Sequence, residues 1–309
     1  MNRSQLVFKA IDVFMYAPQN IVGFSKVTRI KDIPYSRISE DNKGDLYYCK
    51  RHIEKGKKLP VILNIHGGGF VMGDKAFRKS YSSYWAHKGY FVYNINYRLS
   101  PKVYFPENLN DVVDALNFLP QLAKRFPIDL NKIVIMGDSS GGYCTSYLAA
   151  LAFNDGLSEK LGVRDVKVKP ALIAPFCGIY DIKTLLKNKL PFRLVDVTAQ
   201  TYLGFKLKKD FSNLSGYKYL KELSPINFVN DKWCPVFITW TDSDMICIKQ
   251  GDGMYEKLVE KIGKENVGYF RTDGLLNNHC FHLDMTTVES KRCLAAASEY
   301  IASKLKEIK

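Results

Sequence analysis

The sequence predicts an α/β protein in which a mostly parallel central sheet is flanked by helices on both faces. Short apolar runs of strand length recur along the chain, and segments with apolar residues at helical spacing separate them. Such alternation requires parallel pairing with crossover helices. The 309 residues suit one large domain of this kind, over residues 1–309, and an apolar fraction of 46% suffices for its core.

From the N-terminus, Leu6, Ala10, Val13 and Phe14 mark an amphipathic helix. Lys9 and Asp12 deny Met1–Gln19 a long uncharged apolar core, so this segment is expected to be neither a signal peptide nor a membrane span. Val61–Ile65 is the first core strand and Tyr90–Ile95 the second. Leu109, Val112, Val113 and Leu116 share one face of a helix that Pro120 is expected to perturb or end. Lys132–Met136 is the third strand, followed by a small-residue helix from Gly141 to about Phe153. Ala171–Pro175 is the fourth strand. Residues 178–230 then break the rhythm, with helical stretches at Ile182–Leu186 and Val195–Tyr202 and no core strand. This segment is expected to form a helical lid, completed by residues 1–22. Val236–Trp240 is the fifth strand, and the next helix places Met254, Tyr255, Leu258, Val259 and Ile262 on one side. Val267–Phe270 is the sixth strand. A last helix from about Val288 to Lys306 turns Cys293, Ala296, Ala297, Tyr300 and Ile301 inward.

The formal charge of +14 is spread along the chain, with small clusters at Lys55–Lys58 and Lys206–Lys209. No arginine-rich arm or nucleic-acid module accompanies it, so no nucleic-acid partner is expected. A lysine-rich solvated surface is the plainer reading, and attraction to anionic lipid or an acidic glycan is the other. No stable membrane insertion is expected, and a homo-oligomer is left open. Seven cysteines, an odd number without a Cys-x-x-Cys pair, imply a reduced, cytoplasmic chain without a disulfide framework.

The chemistry is concentrated in three places. Gly137-Asp138-Ser139-Ser140-Gly141-Gly142 lies between a strand and a helix. Such a strand–turn–helix elbow projects a serine hydroxyl into a cleft, and glycines on either side let strand and helix approach. Ser139 is the candidate nucleophile; the bland alternative is a glycine-rich turn in which it only caps the helix. His66-Gly67-Gly68-Gly69-Phe70 follows the first core strand. The backbone N–H groups of Gly68, Gly69 and Ser140 are candidate donors to an oxyanion. A phosphate loop is excluded, because no Lys-Ser/Thr follows. His66 reads as an orienting residue. No metal or cofactor is required.

A serine hydroxyl needs a base, and in a Ser–acid–His chain order only His279 and His282 follow Ser139. His279 is favoured, with His282 as a polar neighbour. Thr241-Asp242-Ser243-Asp244, after the fifth strand, offers two acids. Asp244 is favoured and Asp242 stays open. Phe70, Tyr143, Phe176 and Tyr202 are candidate pocket walls.

Together with Tyr97-Arg98-Leu99-Ser100-Pro101, Phe105-Pro106, Asp111, Asp129 and His279-Cys280-Phe281, these motifs span roughly residues 60–300. The sequence resembles the hormone-sensitive lipase-like branch of the α/β-hydrolases, the bacterial family IV esterases. That resemblance implies a cofactor-free carboxylic ester hydrolase acting through an acyl-enzyme on short- to medium-chain acyl esters, with a helical lid. An amidase, peptidase or N-deacylase on the same scaffold is the alternative, and a non-catalytic receptor a further one. The sequence departs from the family at the acid: Asp244-Met245-Ile246-Cys247-Ile248 lacks the usual proline and second aspartate.

Overall fold

The computed structural model describes residues 1–274 and 277–308. Eight strands pair into one sheet: β1 (Val27–Pro34), β2 (Lys43–Cys49), β3 (Leu59–Ile65), β4 (Phe91–Ile95), β5 (Ile128–Asp138), β6 (Leu172–Phe176), β7 (Val236–Thr241) and β8 (Val267–Thr272). Their order is β1-β2-β4-β3-β5-β6-β7-β8. β3 to β8 are mutually parallel, and they are the six strands the sequence predicts. β1 and β2 add an antiparallel edge that the apolar runs do not announce. The reason is compositional. β1 is polar and mostly half-exposed, its register shifts between Ile30 and Ile33, and Asp32 takes a φ of 55° there. These are features of a protected edge.

Helices α1 (Arg3–Asn20), α2 (Lys79–His87), α3 (Glu107–Ala123), α4 (Ser140–Phe153), α5 (Leu157–Leu161), α6 (Ile182–Leu186), α7 (Leu194–Leu203), α8 (Gln250–Ile262) and α9 (Val288–Glu307) surround the sheet. One apolar cluster joins α3, α4 and α8 to one face, and a second joins α2 and α9 to the other. β3 from Val61 onward, β4 and the apolar half of β5 are buried throughout, as strands covered on both faces must be. α4 is buried along nearly its whole length, which its Gly, Ser and Ala content permits.

One expectation is corrected. Pro120 does not end its helix; α3 continues to Ala123. Leu119 and Leu122 are fully buried and hold the last turn against the sheet, offsetting the missing N–H.

The chain between β6 and β7 carries α6, α7 and three short 3-10 turns. α7 packs on α1. Among the described residues no helix is long and apolar enough to cross a membrane.

Candidate active site

β5 ends at Asp138 and α4 begins at Ser140, so Ser139 alone makes the turn, at φ 54° and ψ −119°. A non-glycine residue holds this backbone only where its surroundings enforce it. Here Gly67, Gly137 and Gly141 provide the room. A Cβ at Gly137 would strike Gly141, and one at Gly141 would strike the Ile65 carbonyl. The Ser139 side chain makes no capping bond to α4, which removes the bland reading of the turn. Its Oγ lies 2.8 Å from His279 Nε2 instead.

His279 stands in the loop between β8 and α9. Its Nδ1 donates to Asp244 Oδ2 at 2.8 Å, the tautomer that leaves Nε2 free to accept from Ser139. Asp244 follows β7, and its other oxygen accepts from the backbone N–H of Ile246 and Cys247 at 2.8 and 2.7 Å. Burial alone would raise this carboxyl, but His279 and those N–H groups hold it below the usual carboxylate range. Burial would lower His279, yet the Asp244 carboxylate beside it outweighs burial and raises the imidazole well above its ordinary 6.5.

The structure thus brings Ser139, His279 and Asp244 into one hydrogen-bonded line and leaves Asp242 outside it. Asp242 is half-exposed and pairs with Arg271 at 2.9 Å. His282 also points elsewhere: it is fully buried and stacked on Phe176 at 4.5 Å.

Gly68 and Gly69 have φ of 122° and 61°. Among the described residues no acceptor takes either N–H. The N–H of Ser140 opens α4, where it has no partner within the helix. All three sequence-predicted donors are therefore unspent beside Ser139. His66 is buried, its Nδ1 bonds the Gly67 carbonyl at 2.7 Å, and its ring stacks on Tyr97. The Tyr97 hydroxyl donates to the His66 carbonyl, and the Ser100 N–H donates to that of Phe70. The Tyr97–Pro101 motif thus braces the glycine loop, while Arg98 grips the buried Asp111 carboxylate.

The sequence reading missed Arg78. Its guanidinium is buried and donates to both oxygens of Asp138, at 2.6 Å each. Asp138 also accepts from the Gly67 N–H at 3.1 Å, so one carboxylate ties the elbow to the glycine loop. Burial would raise Asp138, but Arg78 holds it below the usual range. Nothing local in Lys75-Ala76-Phe77-Arg78 marks this role, since the partner lies 60 residues away. Arg78→Met leaves a buried, unpaired carboxylate and should cost about 3–5 kcal/mol. Urea unfolding would measure it, and Arg78→Met/Asp138→Asn should regain part of the loss.

An apolar pocket, partly open to solvent, starts at Ser139. Phe8 of α1, Gly69, Phe70 and Ile246 line it together with Ile179, Ile182, Leu185, Val195, Tyr202 and Leu203 from the β6–β7 segment. Phe70 and Tyr202 stack at 3.7 Å in its wall. Tyr143 and Phe176 are not among its lining residues; Tyr143 packs behind Phe70 and Phe176 backs His282. Among the described residues no charged side chain lines the cavity.

Among the described residues, Asp244, Cys247 and His279 are the one group whose ligand-type atoms lie within 4.8 Å of one another. Two of them already share a proton, so the arrangement is accounted for by acid–base chemistry.

The family model described as BD-FAE matches residues 45–258, well over half of the chain. Esterase LipQ of Mycobacterium tuberculosis is 25% identical over 275 residues, covering 87% of this chain and 61% of the relative. The chain therefore spans about three fifths of that relative's length. Neutral cholesterol ester hydrolase 1 of Bos taurus is 33% identical over 129 residues, 40% of this chain and 30% of its own. The crystal structure of an inhibited esterase B from Lactobacillus rhamnosis superposes with a TM-score of 0.77 at 20% identity, covering 99% of this chain and 98% of that one. That likeness establishes the α/β-hydrolase fold.

Proposed function

Because the chain belongs to the BD-FAE family and shares its fold with the hormone-sensitive lipase-like esterases, we propose that it is a serine carboxylesterase. The observation that carries this reading is the continuous line Ser139–His279–Asp244 at 2.8 Å per step, opening on unspent N–H donors. His279 takes the Ser139 proton as Oγ attacks the ester carbonyl. The N–H groups of Gly68, Gly69 and Ser140 receive the oxyanion. His279 then returns the proton to the leaving alcohol, and an acyl-enzyme remains. Water, deprotonated by the same imidazole, releases the acid and frees Ser139. Asp244 keeps Nδ1 protonated and stabilises the imidazolium.

The apolar cavity supports an uncharged acyl group of short to medium length. α1 and the β6–β7 segment act as the lid over residues 1–309, a single domain. Seven free cysteines, six of them buried, suit a reducing compartment, and we place the protein in the cytoplasm.

The test is hydrolysis of p-nitrophenyl esters against matched anilides. Esters should be cleaved and anilides spared; failure on every ester would sink the reading. Two extra methylenes buried in the cavity contribute about 0.8 kcal/mol each. Butyrate should therefore exceed acetate in kcat/KM by roughly tenfold, and equal values would refute the assignment of this cavity to the acyl chain.

A further inference from the structure

Helix α1 is apolar on two faces, and only one of them is covered. Inward, Phe8 is buried, lines the cavity and lies against Gly69. Outward, Leu6 is 55%, Val13 68% and Phe14 80% exposed, and Ala10 and Ala17 are exposed beside them. At helical spacing these five residues fall within about 100° of arc. Arg3 stands exposed at the N-terminal end of the stripe, and Lys9 stands exposed along its flank. The helix's one carboxylate, Asp12, is turned inward towards Arg78. Where α1 begins, Asn2 shares a groove with the half-exposed Tyr104 and with Lys206.

Exposed apolar side chains at this density mark an interaction face. An apolar stripe with a basic border and no outward acid has the composition of a helix that lies in the plane of a lipid surface. The net charge of +14 adds attraction to anionic headgroups. A second copy of the chain fits less well. Each copy carries the same excess of positive charge, and no outward carboxylate would meet Arg3 or Lys9. One helical stripe is also short of the roughly 800 Å² per partner that a stable dimer buries.

We propose that the outward face of α1, with Leu6, Val13 and Phe14 as its apolar contacts and Arg3 and Lys9 as its cationic ones, docks the protein on an anionic lipid surface. The same helix supplies Phe8 to the cavity wall. Docking therefore brings the cavity to the lipid phase, where an apolar ester partitions; this last step rests on the esterase reading, whereas the docking does not.

Co-sedimentation of the full chain with vesicles tests this, using Ser139→Ala so that nothing is hydrolysed. The protein should bind equimolar phosphatidylglycerol–phosphatidylcholine vesicles, bind pure phosphatidylcholine far less, and be released by high salt. Val13→Ser/Phe14→Ser should weaken binding at least about tenfold. In the Ser139 background the same pair should leave hydrolysis of a soluble butyrate ester unchanged, which shows that it folds. Equal binding to both vesicle types, equal binding by the serine variant, or no binding would overturn the proposal. So would a dimer in size-exclusion chromatography that the serine variant splits, because the face would then belong to a second copy. Soluble-ester hydrolysis tests the esterase reading separately, so either can fail alone.

Discussion

Ser139→Ala should lower kcat for p-nitrophenyl butyrate about 10⁶-fold while leaving the fold intact. The magnitude follows from the geometry. Removing Oγ removes the atom that His279 deprotonates, so the base and Asp244 have nothing to act on. What should survive is a residual acceleration over water of roughly 10³–10⁴, from the oxyanion donors and binding alone. The variant should not label with a fluorophosphonate, since no nucleophile remains to be phosphonylated. Steady-state rates and the labelling stoichiometry check both points. A variant that keeps even a hundredth of the wild-type rate would show that another group carries the reaction. Folding should be unaffected, because the Ser139 side chain caps nothing and its backbone turn is enforced by the glycines around it.

Asp244→Asn should lower kcat by about 10⁴, and Asp242→Asn should change it little. Asparagine at 244 keeps the shape but loses the acceptor that fixes the His279 tautomer. The pH profile gives a second readout. The base works as neutral imidazole, so kcat/KM rises with pH through the His279 pKa. In the wild type the Asp244 carboxylate holds that pKa above 6.5 against burial, which places the acid limb above pH 6.5. In Asp244→Asn the anion is gone and burial remains. The limb should move to lower pH even as the plateau falls. Asp242 pairs with Arg271 near solvent, so its variant should keep the wild-type limb. A shift in the Asp242 variant and none in the Asp244 variant would reverse the assignment.

The parallel core was legible in the sequence because strands buried on both faces are predominantly apolar, as Ile133–Met136 and, but for Asn64, Val61–Ile65 are. β1 was not, because this edge strand mixes polar with apolar residues and is mostly half-exposed, and β2 was not, because its apolar run is only Leu46–Cys49 behind Lys43-Gly44-Asp45. Ser139 and His279 were legible because chain order and a count of five histidines left few alternatives. The choice between Asp242 and Asp244 was not, since the two lie in one turn with the same chemistry. What separates them is tertiary: Arg271 on β8 meets one and His279 the other. Arg78 was illegible for the same reason, its meaning residing wholly in Asp138. Pro120 was over-read, because local backbone preference yielded to the burial of Leu119 and Leu122.

The segment that supplies most of the cavity wall leaves the sheet after β6 and rejoins it at β7, and those two strands are already neighbours. Replacing or lengthening it would therefore break no ladder between strands. Ser139, the glycine loop and His279 all come from outside it. Natural variation can accordingly reshape what the pocket accepts while the reacting groups stay in register, so selectivity and chemistry are inherited as separable parts.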